Sequence, residues 1–290
     1  MPRKRLLVLP SQGQLLISTD LHGNLEDLQA LTQRFESLRR CRDDVHWVIL
    51  GDLVHGPNEE ARQTQPELYG YSDQSYLVVE TVDVLLRRYP EHVHFVLGNH
   101  DHGHVGGPHP SRFHPDEVEH LERSLTEPQR KLLIELFENA LLLVVAPCGV
   151  LLSHGSPDES LFDAHQVDAL SLCYAKNDRH GQWLLSSLLT SYGQTDAVAS
   201  AMLASVSRGL GFDLRVVVHG HDRDEAGYFT EGQTQVCPVI FGAPRKAKRY
   251  LLIDLTGRYE SVEDFREGIE VLRLYDEAGS CGKWGNGIGN

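Results

Sequence analysis

The stretch Val93-His94-Phe95-Val96-Leu97-Gly98-Asn99-His100-Asp101-His102 reads as a short buried strand that runs into a glycine and then a row of polar donors. An apolar run stopped by Gly, with Asn and His just past it, sets metal-ligand side chains at a strand's carboxyl end, where open α/β sheets hold their ligands. Four other stretches share this syntax: Thr19 to Asn24 (TDLHGN), Leu50 to Gly56 (LGDLVHG), Leu151 to Pro157 (LLSHGSP) and Val217 to Asp222 (VVHGHD). One His at a strand end is usually a satisfied polar residue, and one Gly-Asp is usually a turn. Five patches with the same placement make coincidence a poor account.

Working outward, Leu15 to Thr19, Val45 to Leu50, Val93 to Leu97, Leu141 to Val145, Val150 to Ser153, Arg215 to His219, Val236 to Phe241, Tyr250 to Leu255 and Val271 to Leu274 all read as strands. Several are apolar on both faces, as strands buried between layers are. Leu25, Leu28, Leu31, Phe35 and Leu38 recur at helical spacing behind Asn24, a candidate N-cap. Ser75 to Tyr89 reads as a second helix stopped by Pro90, and Thr126 with Gln129 opens a third as a capping box. The order β-α-β-α-β, then helical, then mostly β, points to two packed sheets rather than one doubly wound sheet. No internal repeat or low-complexity linker interrupts residues 1–290, so one α/β domain is expected, with a core at about 15–255 and insertions at about 57–71 and 102–120.

Composition narrows the function. The 290 residues are 41% hydrophobic and 23% charged, ordinary for a soluble globular protein. A net charge of −14 argues against a nucleic-acid surface or an anionic-membrane surface, both of which require basic patches. It leaves phosphorylated substrates open, because bound cations reverse the field locally. Cys41, Cys148, Cys173, Cys237 and Cys281 are odd in number and lack C-x-x-C spacing, which points to a reducing, cytoplasmic setting. Arg3, Lys4 and Arg5 precede only four apolar residues, too few for a signal sequence, and no later run is long enough to span a membrane.

Divalent cations that activate water are held by carboxylate, imidazole and amide oxygen. Asp20 and His22, two residues apart, can turn onto one ion; Asp52 can bridge two. In order along the chain, D-x-H-G-N, G-D, G-N-H-D, H-G and G-H resemble the calcineurin-like metallophosphoesterase superfamily over roughly Leu15 to Leu255. The serine/threonine protein phosphatase branch is the most similar. Phe241-Gly242-Ala243-Pro244 resembles that branch's Ser-Ala-Pro loop, and Gly220-His221-Asp222-Arg223 has Arg where many phosphodiesterases carry a second His.

The resemblance implies a four-layered αββα sandwich of two mixed sheets flanked by helices. It implies two divalent ions, Mn²⁺ or else Fe²⁺ or Zn²⁺. Asp20, His22 and Asp52 would hold the first ion; Asp52, Asn99, His154 and His221 would hold the second. His100 would be the general acid. Asp52 and His100 form the catalytic pair, and Asn99, Arg223 and Arg179 are candidate phosphate-binding residues, with Arg245 a further clamp candidate. The implied activity is hydrolysis of phosphate monoesters of the phosphoserine or phosphothreonine type, on a phosphoprotein or a small phosphate ester. Hydrolysis of phosphodiesters or dinucleoside polyphosphates is the alternative, and a non-catalytic scaffold the third reading.

The chain departs from that branch at one motif. Its G-D-x-V-D-R-G becomes Gly51-Asp52-Leu53-Val54-His55-Gly56, so the Asp that orients the catalytic His and an Arg that grips phosphate are both missing. Asp101 and Asp222 are the candidate replacements for the orienting carboxylate. Six His lie between His100 and His120 among Gly and Pro, a segment expected to border the site and select substrates. The Glu, Gln and Pro-rich stretch 57–71 reads either as a lid or as solvated surface.

Overall fold

The structure, a computed structural model, describes residues 4–275; Arg3 and Cys281 lie outside the described residues. Strands β1 (Leu6–Val8), β2 (Gln14–Thr19), β3 (Val45–Leu50), β4 (Val93–Val96), β5 (Leu143–Ala146), β6 (Val150–Leu152), β7 (Val216–Val218), β8 (Tyr228–Glu231), β9 (Gln235–Pro238), β10 (Arg249–Asp254) and β11 (Val271–Arg273) form two mixed sheets. One has the order β11-β10-β2-β3-β4, with β2, β3 and β4 parallel and β10 antiparallel to β2. The other has the order β1-β5-β6-β7-β9-β8, with β6, β7 and β9 parallel. Helices α1 (Leu25–Arg39), α2 (Glu59–Thr64), α3 (Pro66–Tyr69), α4 (Ser75–Arg88), α5 (Asn99–His102), α6 (Glu117–Ser124), α7 (Glu127–Glu138), α8 (Arg179–Thr190) and α9 (Asp196–Leu210) complete the frame.

The side-chain period of two builds the layers. Leu15, Ile17, Val48 and Leu50 of one sheet meet Val144, Val150, Leu152, Val216 and Val218 of the other in a core between the sheets. The alternate residues Leu16, Trp47, Ile49, Leu151 and Val217 join Leu31, Phe35, Val82, Phe137 and Leu188 of the helices. Both faces of each sheet are thus buried, giving the four-layered αββα sandwich. Each such Leu, Ile or Val contributes about 1.5–3 kcal/mol by leaving water.

Local sequence sets the helix starts. The Asn24 side chain accepts from the Asp27 N–H at 3.1 Å and opens α1. Gln129 reaches back to the Thr126 N–H at 2.8 Å and opens α7. Several boundaries differ from expectation. β9 ends at Pro238 rather than running to Phe241, since proline has no N–H to extend the ladder. The strand expected from Leu141 begins at Leu143. β1 and β8 were not expected: β1 is a three-residue run behind a basic segment, and β8 is a half-exposed edge. The stretch 57–71 folds as α2 and α3, and the 102–120 segment ends in α6, capped by Asp116.

The parallel triples β2-β3-β4 and β6-β7-β9 both end at one edge of the sandwich, where the Thr19 hydroxyl donates to the Pro238 carbonyl at 2.8 Å and ties the two sheets together. The five polar patches follow β2, β3, β4, β6 and β7 at that edge. No helix among the described residues is long and apolar enough to cross a membrane.

Candidate active site

The loops after the strands are drawn together by their own backbones. The Asp52 carbonyl accepts from the N–H groups of Leu21 and His22, both at 2.9 Å, and the Gly220 N–H donates to the His154 carbonyl at 2.8 Å. At Gly98 a Cβ would sit 2.2 Å from the Asp52 nitrogen and Oδ1, so only glycine lets β4's loop approach this closely. Asp20, His22, Asp52 and His221 all hold left-handed backbone, with φ of 39°, 42°, 50° and 68°. Such angles are uncommon outside glycine and cluster at functional sites, where surrounding structure enforces them.

Asp52 is the hub. Its Oδ2 lies 3.4 Å from His22 Nε2 and 3.5 Å from His154 Nε2, while its Oδ1 accepts from the His100 N–H at 2.9 Å. Asn99 Oδ1 lies 3.0 Å from His154 Nε2 and 2.9 Å from His221 Nδ1. The Asp20 carboxylate accepts from the His221 N–H at 3.2 Å. Asp52 is thus shared between a group with His22 and His100 and a group with His154 and His221; Asn99 lies beside the second group, and Asp20 joins it through the His221 N–H.

The outer ring nitrogens fix the tautomers. His22 Nδ1 is 3.0 Å from the His55 carbonyl and His154 Nδ1 is 2.7 Å from the Leu50 carbonyl. A carbonyl only accepts, so Nδ1 carries a hydrogen in each ring and Nε2 is the nitrogen turned to Asp52, the orientation that metal-ligating imidazoles use.

Electrostatics point the same way. Burial pushes Asp20 up to about 7, with His154 opposing, and holds His22 down near 4 and His221 near 3. Burial also works against a charged His154, but Asp52 prevails and lifts it to about 10. Buried carboxylates that recruit an imidazolium as counter-charge form a site short of positive charge. An oxygen and imidazole donor set of this kind suits a pair of divalent cations.

His100 stands beside this patch, its ring edge-on to His22 with centroids 4.7 Å apart. Burial works against its charged form, but Asp52 and Glu117 outweigh it and raise its pKa above the ordinary value. Neither residue expected to orient it does so. Asp101 accepts instead from the N–H groups of Leu53 (2.9 Å), Val54 (3.4 Å) and Gly98 (3.0 Å), pinning the two loops. Asp222 lies 3.7 Å from His219. The carboxylate near the His100 Nδ1 is Glu117, at the start of α6, at 3.2 Å.

Two guanidinium groups meet at Tyr69. Arg112 donates to the Tyr69 hydroxyl at 2.9 Å and Arg223 to the same oxygen at 3.3 Å. Arg112 also lies over the Phe241 ring, 4.7 Å from its centroid, and Phe241 packs on His22 at 3.8 Å. Neither arginine has a carboxylate ion pair among the described residues. Arg245 is engaged elsewhere, paired with Glu26 at 2.7 Å. Arg179 is the exposed first residue of α8, and no described hydrogen bond or ion pair joins it to this cluster. Glu117 and Arg112 escaped sequence reading because neither follows a strand: Arg112 lies in an irregular segment and Glu117 opens the helix after it. The only local signal was Asp116 as a helix cap immediately before Glu117.

The chain belongs to the calcineurin-like phosphoesterase family: the family's sequence model matches residues 13–223. Its structure is similar to that of a protein serine/threonine phosphatase from Saccharomyces cerevisiae with similarity to human phosphatase PP5. The two are 14% identical with a TM-score of 0.57, covering 87% of this chain and 77% of that one. It is also similar to a cold-active protein-tyrosine phosphatase of a psychrophilic Shewanella species, 17% identical with a TM-score of 0.53, covering 90% and 81%. At these identities the likeness is one of fold. No curated protein matches the chain in sequence.

Proposed function

We propose that this chain is a two-metal phosphomonoesterase, acting on phosphoserine- or phosphothreonine-type esters. The observation that carries the reading is Asp52 lying between His22 and His154 with His100 beside it. Asp20, His22 and Asp52 would hold one divalent cation, and Asp52, Asn99, His154 and His221 the other; Mn²⁺ is the proposed metal. Bound there, such ions acidify water and neutralise phosphoryl charge.

The chain's own groups supply the rest. Arg112 and Arg223 draw the phosphate to the site, and Asn99 offers its amide beside it. Two guanidinium groups match the double charge of a monoester better than the single charge of a diester, which favours monoesters over the phosphodiester alternative. His100 delivers a proton from Nε2 to the departing alkoxide, a poor leaving group without it.

The test is hydrolysis by Mn²⁺-reconstituted protein, with an EDTA control. We expect turnover of p-nitrophenyl phosphate and phosphoserine peptides, little turnover of bis(p-nitrophenyl) phosphate, and losses on phosphoserine peptides of about 10²-fold or more in Asp52→Asn and His100→Ala. Wild type no faster than either variant would return the scaffold reading; a preference for the bis-ester would return the diesterase.

A further inference from the structure

Helix α6 lies in the segment expected to select substrates, yet its first residue points inward. Glu117 is 0% exposed, and its Oε1 accepts from the Phe113 N–H at 2.8 Å. Its Oε2 has no aligned hydrogen bond, though it sits 3.2 Å from His100 Nδ1 and 3.7 Å from His55 Nδ1. A buried carboxylate oxygen left in this way is costly unless a charge or a donor faces it.

Behind His100 runs a chain of rings. His55 Nδ1 lies 3.2 Å from His100 Nδ1, His55 Nε2 lies 2.9 Å from His104 Nε2, and His104 Nδ1 lies 2.9 Å from Glu122 Oε1. Glu122 is also on α6, one turn beyond Glu117 and nearer the surface. With every ring neutral, one assignment satisfies all the contacts. Glu122 accepts, so His104 carries its hydrogen on Nδ1 and offers the Nε2 lone pair. His55 then donates from Nε2 and presents a lone pair at Nδ1. The hydrogen between His55 and His100 therefore resides on His100 Nδ1, the nitrogen that also lies 3.2 Å from Glu117 Oε2.

We propose that Glu117 is the positioning carboxylate of His100, and that His55, His104 and Glu122 lock the ring with its hydrogen on Nδ1. The function lost where His55 stands in place of the family's Asp is thereby regained from α6. This leaves His100 Nε2 as the ring nitrogen turned away from His55 and Glu117. Glu117, His55, His104 and Glu122 touch no substrate; they act through His100.

This inference rests on the phosphomonoesterase reading for its kinetic test, but its structural test is independent. In [¹⁵N]histidine-labelled protein, metal-free and Zn²⁺-loaded, we expect His100 and His104 protonated at Nδ1 and His55 at Nε2, with the His100 signal changed in Glu117→Gln. Kinetically, Glu117→Gln should lower kcat about 10²-fold on phosphoserine, whose alkoxide needs a proton, and only a few-fold on p-nitrophenyl phosphate, whose phenolate does not. An Asp side chain at position 55 reaches about where the His55 Nδ1 lies. Adding His55→Asp to Glu117→Gln should thus restore at least tenfold on phosphoserine. An unchanged His100 spectrum in Glu117→Gln, or equal losses on both esters without rescue, would overturn the proposal. If a third cation equivalent bound wild type and not Glu117→Gln, the His55-His100-Glu117 group would be a metal site and the proposal would fall. Should wild type hydrolyse neither ester, the functional reading fails while the spectra still decide this one.

Discussion

At the scale of single residues, the site combines donors that recur at strand ends with groups that do not. The strand-end placement of Asp20, His22, Asp52, Asn99, His154 and His221 was legible because each sits just past an apolar strand, and strand direction brings such positions to one edge. Arg112 was not legible, because nothing local separates it from any other exposed arginine; its place over Phe241 and against Tyr69 arises only when the two insertions meet. A charge-assisted contact of Arg112 with phosphate would be worth about 1.5–3 kcal/mol, roughly 10- to 100-fold. Arg112→Ala and Arg223→Ala should each raise KM for p-nitrophenyl phosphate on that scale with a smaller change in kcat. Arg179→Ala run in parallel decides the remaining candidate: a matching rise in KM would place it in the clamp, and an unchanged KM would leave Arg112 and Arg223 as the pair.

Among the elements, α1 shows how local and distant instructions combine. Its start is written nearby, in Asn24 reaching the Asp27 N–H, and was readable. Its fastening is not. The buried Asp27 carboxylate pairs with Lys248, at the start of the segment leading into β10, and accepts from the Tyr275 hydroxyl at 2.7 Å. More than two hundred residues separate these partners, and no periodicity connects them. Removing one member of a buried pair strands the other charge, at a cost of about 3–5 kcal/mol. Asp27→Ala should lower the urea midpoint accordingly, whereas Asp27→Leu combined with Lys248→Met should recover most of the loss. The segment 57–71 gives a similar lesson. Its composition left lid and solvated surface undecided, but Asn58 donates to the Phe113 carbonyl at 2.6 Å and Tyr71 to the His22 carbonyl at 3.0 Å, so it braces the site.

For the molecule as a whole, the proposed metal site straddles two sheets. Asp20, His22, Asp52 and Asn99 follow strands of the five-stranded sheet; His154 and His221 follow strands of the six-stranded one. Ions bound there would bridge the layers and favour the folded state by mass action. At a free concentration about 100 times Kd, one site adds about 2.7 kcal/mol. With roughly 2–4 °C per kcal/mol at this size, Mn²⁺ should raise Tm by about 5–10 °C. Thermal unfolding with and without EDTA measures this, and Asp52→Asn should lose most of the gain. Two packed sheets were readable from strands apolar on both faces, whereas the strand order was not: β2 is flanked by β10 from the far end of the chain, a pairing that local sequence does not encode.

That pairing of Leu251 with Ile17 and Leu252 with Leu16 separates what makes the chain recognisable from what makes it fold. Residues 13–223 carry the family signature and all six proposed ligands. A chain stopped there would leave β2 as a raw sheet edge, deprive Asp27 of its buried counter-charge and remove the carbonyl of Pro238 that holds Thr19 beside Asp20. The hereditary mark of the family is therefore shorter than the smallest piece that can stand by itself, and the unmarked last strands are what let the marked residues keep their positions.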